Sequence, residues 1–154
     1  MEIRERIIQK SHELFLRYGI KSITMDDIAK PMGISKKTIY QFFEDKNELV
    51  HSVVKQILEI QKNSLDAIQK NAHDPIAEVL KLSEFVKETM ENMGMSVMFE
   101  LQKYHPKSFN IFEDFKENCV SDLITKNLKK GKEMGLYRSD IDVNIMAKLR
   151  LQEI

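Results

Sequence analysis

Glycine and proline are nearly missing from this chain, and almost every one present falls where a helix would start or stop. There are five glycines and three prolines in 154 residues. Those two residues are the strongest interrupters of helices. A chain that keeps them for its boundaries therefore reads as a series of helices, and no alternating strand pattern of useful length competes. The expected fold is all-α.

The boundaries can be placed one by one. Ile3, Ile7, Ile8, Leu14, Phe15 and Tyr18 form an apolar stripe at helical spacing. Gly19 ends that first helix in the position expected for a left-handed cap. Thr24, with Asp27 three residues later, makes a capping-box-like start for a second helix, expected from about Met25 to Met32. Gly33 breaks it, and Ser35 is a good N-cap for a third helix, from Lys36 to about Phe43. Pro31 removes one backbone donor inside the second helix. The helix is thus expected to be short or distorted after Lys30, with the Asp27 carbonyl lacking its helical partner.

Further on, Asp45 with Glu48 caps a fourth helix carrying Leu49, Val50, Val53, Val54, Ile57, Leu58 and Leu65. Asp74-Pro75 opens a helix running to about Met93-Gly94, an N-cap followed by proline at the first helical position. Pro106 opens another, through Phe109, Phe112, Phe115, Val120, Leu123, Ile124 and Leu128, ending near Gly135. Asp142 caps a last helix that Ile154 cuts short.

Composition narrows the function. Hydrophobic residues make up 42% and charged residues 31%, enough for a core and a solvated surface. Lys and Arg number 24 and so do Asp and Glu, which argues against a chromatin packer or a non-specific RNA binder. Any DNA-binding role must rest on where the charges sit. The single Cys119 excludes an internal disulfide framework and a cysteine-based zinc site. No stretch approaches the ~18 apolar residues that span a bilayer. The N-terminal six residues mix charges at once, unlike a signal peptide. The expected location is cytoplasmic, with no membrane partner.

Enzymatic readings find no constellation. His12, His51, His73 and His105 are scattered without a metal-ligand spacing. No glycine-rich phosphate loop or nucleophile elbow exists, and Cys119 lies on an apolar helical face between Phe115 and Leu123. No cofactor or metal is expected.

The informative stretch is 24–46. Two short helices joined by a glycine-containing turn have the geometry of a DNA-reading helix-turn-helix. Ile28, Ala29, Ile34, Ile39 and Phe43 supply contacts between them, and small Ala29 permits a close crossing. Lys36 and Lys37 occupy the first turn of the second member, where cations oppose the helix dipole by ~0.3–1 kcal/mol each. A docked polyanion reverses that balance. Lys37, Tyr40, Gln41 and Glu44 share one face, opposite Ile39 and Phe43. The outward face of Lys36, Lys37, Thr38, Tyr40 and Gln41 combines phosphate-contacting groups with groups able to read base edges.

With those residues in view, the sequence resembles the tetracycline-repressor (TetR) family of bacterial regulators. The resemblance lies in Ile23-Thr24-Met25-Asp26-Asp27-Ile28-Ala29, in Gly33 to Phe43, and in Lys46-Asn47-Glu48-Leu49, with Phe15 and Tyr18-Gly19 ending the first helix. It covers about the first third of the chain. It implies a three-helix head, residues 1–45, joined through the fourth helix to a helical ligand-binding and dimerisation body, 46–154. It also implies a homodimer on double-stranded DNA and a small-molecule effector. Thr24, Tyr40 and Lys46 are then expected on phosphates, and Ser35, Lys36, Lys37, Thr38 and Gln41 on bases or nearby phosphates. The family normally continues beyond the point where Ile154 lies, with the long helices of the dimer interface. The last helices are therefore expected to be incomplete.

In the body, Met90, Met93, Met98, Phe99, Phe109 and Phe112 suggest an adaptable pocket for an apolar or aromatic effector, with Glu100, Gln102 and His105 as polar groups at its edge. Ordinary core packing fits the same residues. Two functions stand against each other: an effector-released repressor, and a helical module for protein–protein interaction. The Lys-Lys-Thr-x-Tyr-Gln face favours the first.

Overall fold

Local capping chemistry explains where most helices of this protein begin. The computed structural model describes residues 2–92 and 95–152, the Met95 side chain excepted. Among them there are helices and connecting turns but no strand. The α-helices are α1 (Ile3–Tyr18), α2 (Met25–Ala29), α3 (Lys36–Tyr40), α4 (Lys46–Asn71), α5 (Pro75–Asn92), α6 (Met95–Tyr104), α7 (Pro106–Asp114), α8 (Ser121–Glu133) and α9 (Val143–Gln152).

Thr24 forms a complete capping box: Asp27 N–H donates to its hydroxyl oxygen at 3.2 Å, and Thr24 N–H donates to the Asp27 carboxylate at 2.8 Å. Ser35 accepts from Thr38 N–H at 3.1 Å, and Asp45 from Glu48 N–H at 2.8 Å. Asp74 accepts from the N–H groups of Ile76 and Ala77, and Asp142 from those of Asn144 and Ile145. Each side chain satisfies donors that a helix start leaves without partners.

Pro31 acts as its chemistry requires. Regular α-helix stops at Ala29, and Lys30–Met32 tighten into a single 3₁₀ turn. With no N–H on Pro31, the bond to the Asp27 carbonyl cannot form. Gly33, left-handed at φ 65°, then turns the chain, and Ile34 N–H closes back on the Ala29 carbonyl at 3.2 Å.

Several boundaries differ from the sequence-based expectation. Gly19 has a positive φ of 82° but an extended ψ of 155°, so it is not the left-handed cap expected there. Its N–H still donates to the Phe15 carbonyl at 2.9 Å. α3 ends at Tyr40 and not at Phe43, because Phe42 and Phe43 both donate to the Ile39 carbonyl in a closing turn. The Met-rich stretch hides an additional helix, α6. The single helix expected from Pro106 to Gly135 contains a π-helical turn at Phe115–Val120 between α7 and α8, where Ser121 N–H reaches the Lys116 carbonyl.

The chain forms two compact units: Met1–Ile57 with Glu91–Ile111, and Leu58–Met90 with Phe112–Ile154. The functional division expected at residues 45/46 falls inside the first of them. In that unit α2 packs on both α1 and α3, and Ile7, Ile8, Phe15, Ile28, Ile39, Phe43, Leu49 and Val50 are buried. The Arg4 guanidinium lies 5.2 Å from the centre of the Phe43 ring, a cation–π contact at the edge of this core.

In the second unit α8 packs on α9 around Ile124, Leu128 and Ala147, flanked by Val120, Tyr137 and Val143. The Tyr137 hydroxyl lies 2.9 Å from Asn127 Oδ1 and 3.2 Å from the Pro75 carbonyl. Asn127 Nδ2 donates to the same carbonyl at 3.0 Å, so buried Asn127 is satisfied at both ends of its amide.

Candidate nucleic-acid interface

The head presents one polar face because the residues beneath it are fixed. Ile28, Ala29, Ile39 and Phe43 are all buried, which holds α2 and α3 against each other and turns the rest of α3 outward. Ser35, Lys36, Lys37 and Gln41 are exposed, Tyr40 is 45% exposed, and Thr38 is half-buried. Seven of the eight sequence-predicted DNA contacts thus stand at the start of α2 or along α3.

Their local partners matter for what they can do. Lys36 Nζ pairs with Asp26 across the two helices at 3.3 Å, an exposed contact that DNA can displace at small cost. Thr38 and Ser35 share a hydroxyl–hydroxyl bond of 2.9 Å at the α3 N-terminus. The Thr24 hydroxyl lies 2.6 Å from the Asp27 carboxylate. Hydrogen bonds from the Thr24 side chain and backbone hold Asp27 below the ordinary carboxylate range. The capping box is therefore ionised and intact at neutral pH.

Lys46 stands apart from this face. Its ammonium is half-buried and donates to the backbone carbonyls of Ile20 and Ile23. Burial lowers its pKa below the ordinary lysine value, while the carboxylates of Glu100 and Asp27 act in the opposite direction.

Three residues that the sequence placed elsewhere, or did not single out, meet the head here. Glu100 accepts a hydrogen bond from Lys21 N–H at 2.9 Å. His105 Nδ1 lies 2.7 Å from Asn47 Oδ1, and burial followed by the nearby Lys46 charge lowers its pKa. Lys21 sits 5.0 Å from the centre of the Tyr104 ring. Glu100 and His105, candidates for the edge of an effector pocket, thus contact the α1–α2 loop and the start of α4. Partners 58 and 79 residues away leave no local sequence signal.

The apolar candidates divide between the two units. Phe99 is 58% exposed with Lys103 Nζ 5.4 Å from the centre of its ring, and Met90 is also exposed. Met98, Phe109 and Phe112 are half-buried. Met93 lies outside the described residues.

A capped helix pair, a glycine turn and an outward face of lysine, threonine, tyrosine and glutamine define a helix-turn-helix DNA-reading head. The comparisons agree. Residues 7–53 match the family described as bacterial regulatory proteins, tetR family. YvaF, an HTH-type transcriptional regulator of Bacillus subtilis (strain 168), is 31% identical over 144 residues, spanning 92% of this chain and 75% of the relative.

Two solved structures share the fold. A TetR-family regulator from Agrobacterium tumefaciens has a TM-score of 0.77 at 20% identity, covering 95% of this chain and 80% of that one. A putative transcriptional regulator from Saccharomonospora viridis, in complex with choline, has a TM-score of 0.81 at 22% identity, covering 94% and 77%. The chain belongs to the TetR family of helix-turn-helix transcriptional regulators. Among the described residues no helix is long and apolar enough to cross a membrane.

Proposed function

We propose that the protein is a repressor that binds a two-fold symmetric operator as a homodimer and is released by a small apolar or aromatic effector. The observation that carries the DNA-reading part is the face of α3, where Lys36, Lys37, Tyr40 and Gln41 are exposed while Ile39 and, just beyond the helix, Phe43 are buried. In this reading Lys36, Lys37, Ser35 and Tyr40 meet phosphates and position the helix, while Gln41 and Thr38 face base edges. Thr24 contributes by fixing the start of α2. Of the expected contacts, Lys46 has its ammonium turned inward.

Dimerisation and effector release rest on family membership. The choline held by the Saccharomonospora viridis regulator supports a small-molecule site in this fold. Half-buried Met98 and Phe109 support an apolar ligand for this chain, since methionine adapts its shape to aromatic and aliphatic guests. Release then requires that the effector bind the low-affinity arrangement more tightly than the DNA-competent one.

Selection of genomic fragments with the purified protein tests the reading. The expected product is a two-fold symmetric consensus. Gln41 can pair with adenine, a contact worth ~1–3 kcal/mol of discrimination, so Gln41→Ala is expected to relax one position in each half-site. A consensus without symmetry contradicts the dimer, and one unchanged by Gln41→Ala removes Gln41 from the base-reading set. A screen of apolar and aromatic compounds for DNA release, repeated on Met98→Ala and Phe109→Ala, tests the effector.

A further inference from the structure

The loop from Gly19 to Ile23, between α1 and α2, is held by side chains far from it in sequence. Glu100 accepts its Lys21 N–H at 2.9 Å. Lys46 donates to its Ile20 and Ile23 carbonyls. An anion thus takes the loop's donor and a cation takes its acceptors, and charge-assisted bonds of this kind are stronger than neutral ones. The two side chains also support each other, because the Glu100 carboxylate favours the charged form of Lys46 against the burial that opposes it.

The residue that follows the loop is Thr24, whose capping box starts the five-residue α2. Buried Ile28 and Ala29 of α2 pack toward α3, so a displaced loop displaces the reading face. An ammonium carries three hydrogens. Two of them are engaged by loop carbonyls, which ties the Lys46 side chain to the loop.

Building on the DNA-binding reading above, we infer that Lys46 and Glu100 are positioning residues that together clamp the Gly19–Ile23 loop. They fix where Thr24 starts α2 and how α3 is presented.

Two measurements on the full chain test this. Hydrogen exchange of the free protein reads the loop directly: in Glu100→Ala the Lys21 amide is expected to exchange about tenfold faster, and in Glu100→Gln, which keeps an acceptor, by less. Lys46→Met, which keeps the apolar stem, is expected to speed exchange across the same loop.

DNA titration over a salt series then separates positioning from contact. Glu100→Ala, which leaves every lysine in place, is expected to weaken binding about tenfold at every salt concentration with the slope unchanged, whereas Lys37→Ala flattens the slope by about two units, one for each protomer. A slope that falls by about two in Lys46→Met, with loop exchange unaltered, overturns the positioning role of Lys46. Unaltered exchange in Glu100→Ala, with DNA binding by the unsubstituted protein intact, overturns the clamp alone. If the unsubstituted protein binds no DNA, the functional reading fails and the positioning role with it, while exchange still reports whether the clamp exists.

Discussion

Replacing Gly131 by alanine is expected to destabilise the second unit by about 3 kcal/mol, although alanine is the better helix former. Gly131 lies within α8, where alanine alone would gain ~1 kcal/mol. The Tyr137 ring leaves no room for it: a methyl carbon there would stand 2.1 and 2.2 Å from two ring atoms. The ring must move, and its hydroxyl then leaves Asn127 Oδ1 and the Pro75 carbonyl. Overpacking of this kind costs ~1–3 kcal/mol, and an orphaned acceptor on buried Asn127 adds ~1–3 kcal/mol. Urea denaturation of Gly131→Ala measures the sum. The sign of the same substitution is expected to reverse in a Tyr137→Ala background, where only the helix propensity remains. A loss of similar size with and without the ring would show that the crowding is not the cause.

Gly19→Ala is expected to cost the first unit about 2 kcal/mol and to disturb the reading head. Its φ of 82° with ψ of 155° lies in a region reached essentially by glycine alone, at ~1–3 kcal/mol for other residues. The added methyl would also stand 3.1 Å from a Glu100 oxygen, so the carboxylate that holds Lys21 has to give way. Strain and clamp loss therefore act on one loop. A lowered urea midpoint together with faster exchange at the Lys21 amide is the expected pair of results. Wild-type stability in Gly19→Ala would contradict the strained backbone, and a lowered midpoint with unaltered loop exchange would separate that strain from the clamp.

How much of this was legible in the sequence depended on range. Helix starts were readable because caps act over three residues: Thr24 with Asp27, Ser35 with Thr38, Asp45 with Glu48, and the two aspartates at 74 and 142. The early end of α2 was readable because it follows from the missing N–H of Pro31. The outward polarity of α3 was readable from its spacing.

Other features needed the tertiary fold. Methionines between 90 and 98 suggested an adaptable pocket, and that reading concealed α6. The π-helical turn in the 106–133 stretch leaves the apolar pattern unbroken, so periodicity could not reveal it. Lys46 was assigned to phosphate by resemblance, and nothing in the sequence showed that its ammonium also reaches carbonyls 23 and 26 residues earlier. The contacts of Glu100 with Lys21 and of His105 with Asn47 were equally out of reach of the sequence. Side-chain contacts over such separations follow from packing, and neither periodicity nor capping encodes them.

DNA affinity as a function of salt tests the central claim most directly. The full chain is titrated with its selected fragment over a salt series, because lysine–phosphate contacts release counterions and leave a measurable slope. Lys36 and Lys37 on each of two protomers neutralise four phosphates, which corresponds to a slope of about −4 in log affinity against log salt. A linear fall of that order is the expected result, flattened by about two units in Lys37→Ala because each protomer loses one contact. An affinity independent of salt, or no binding to any selected fragment, would contradict the assignment of α3 as a DNA-reading helix.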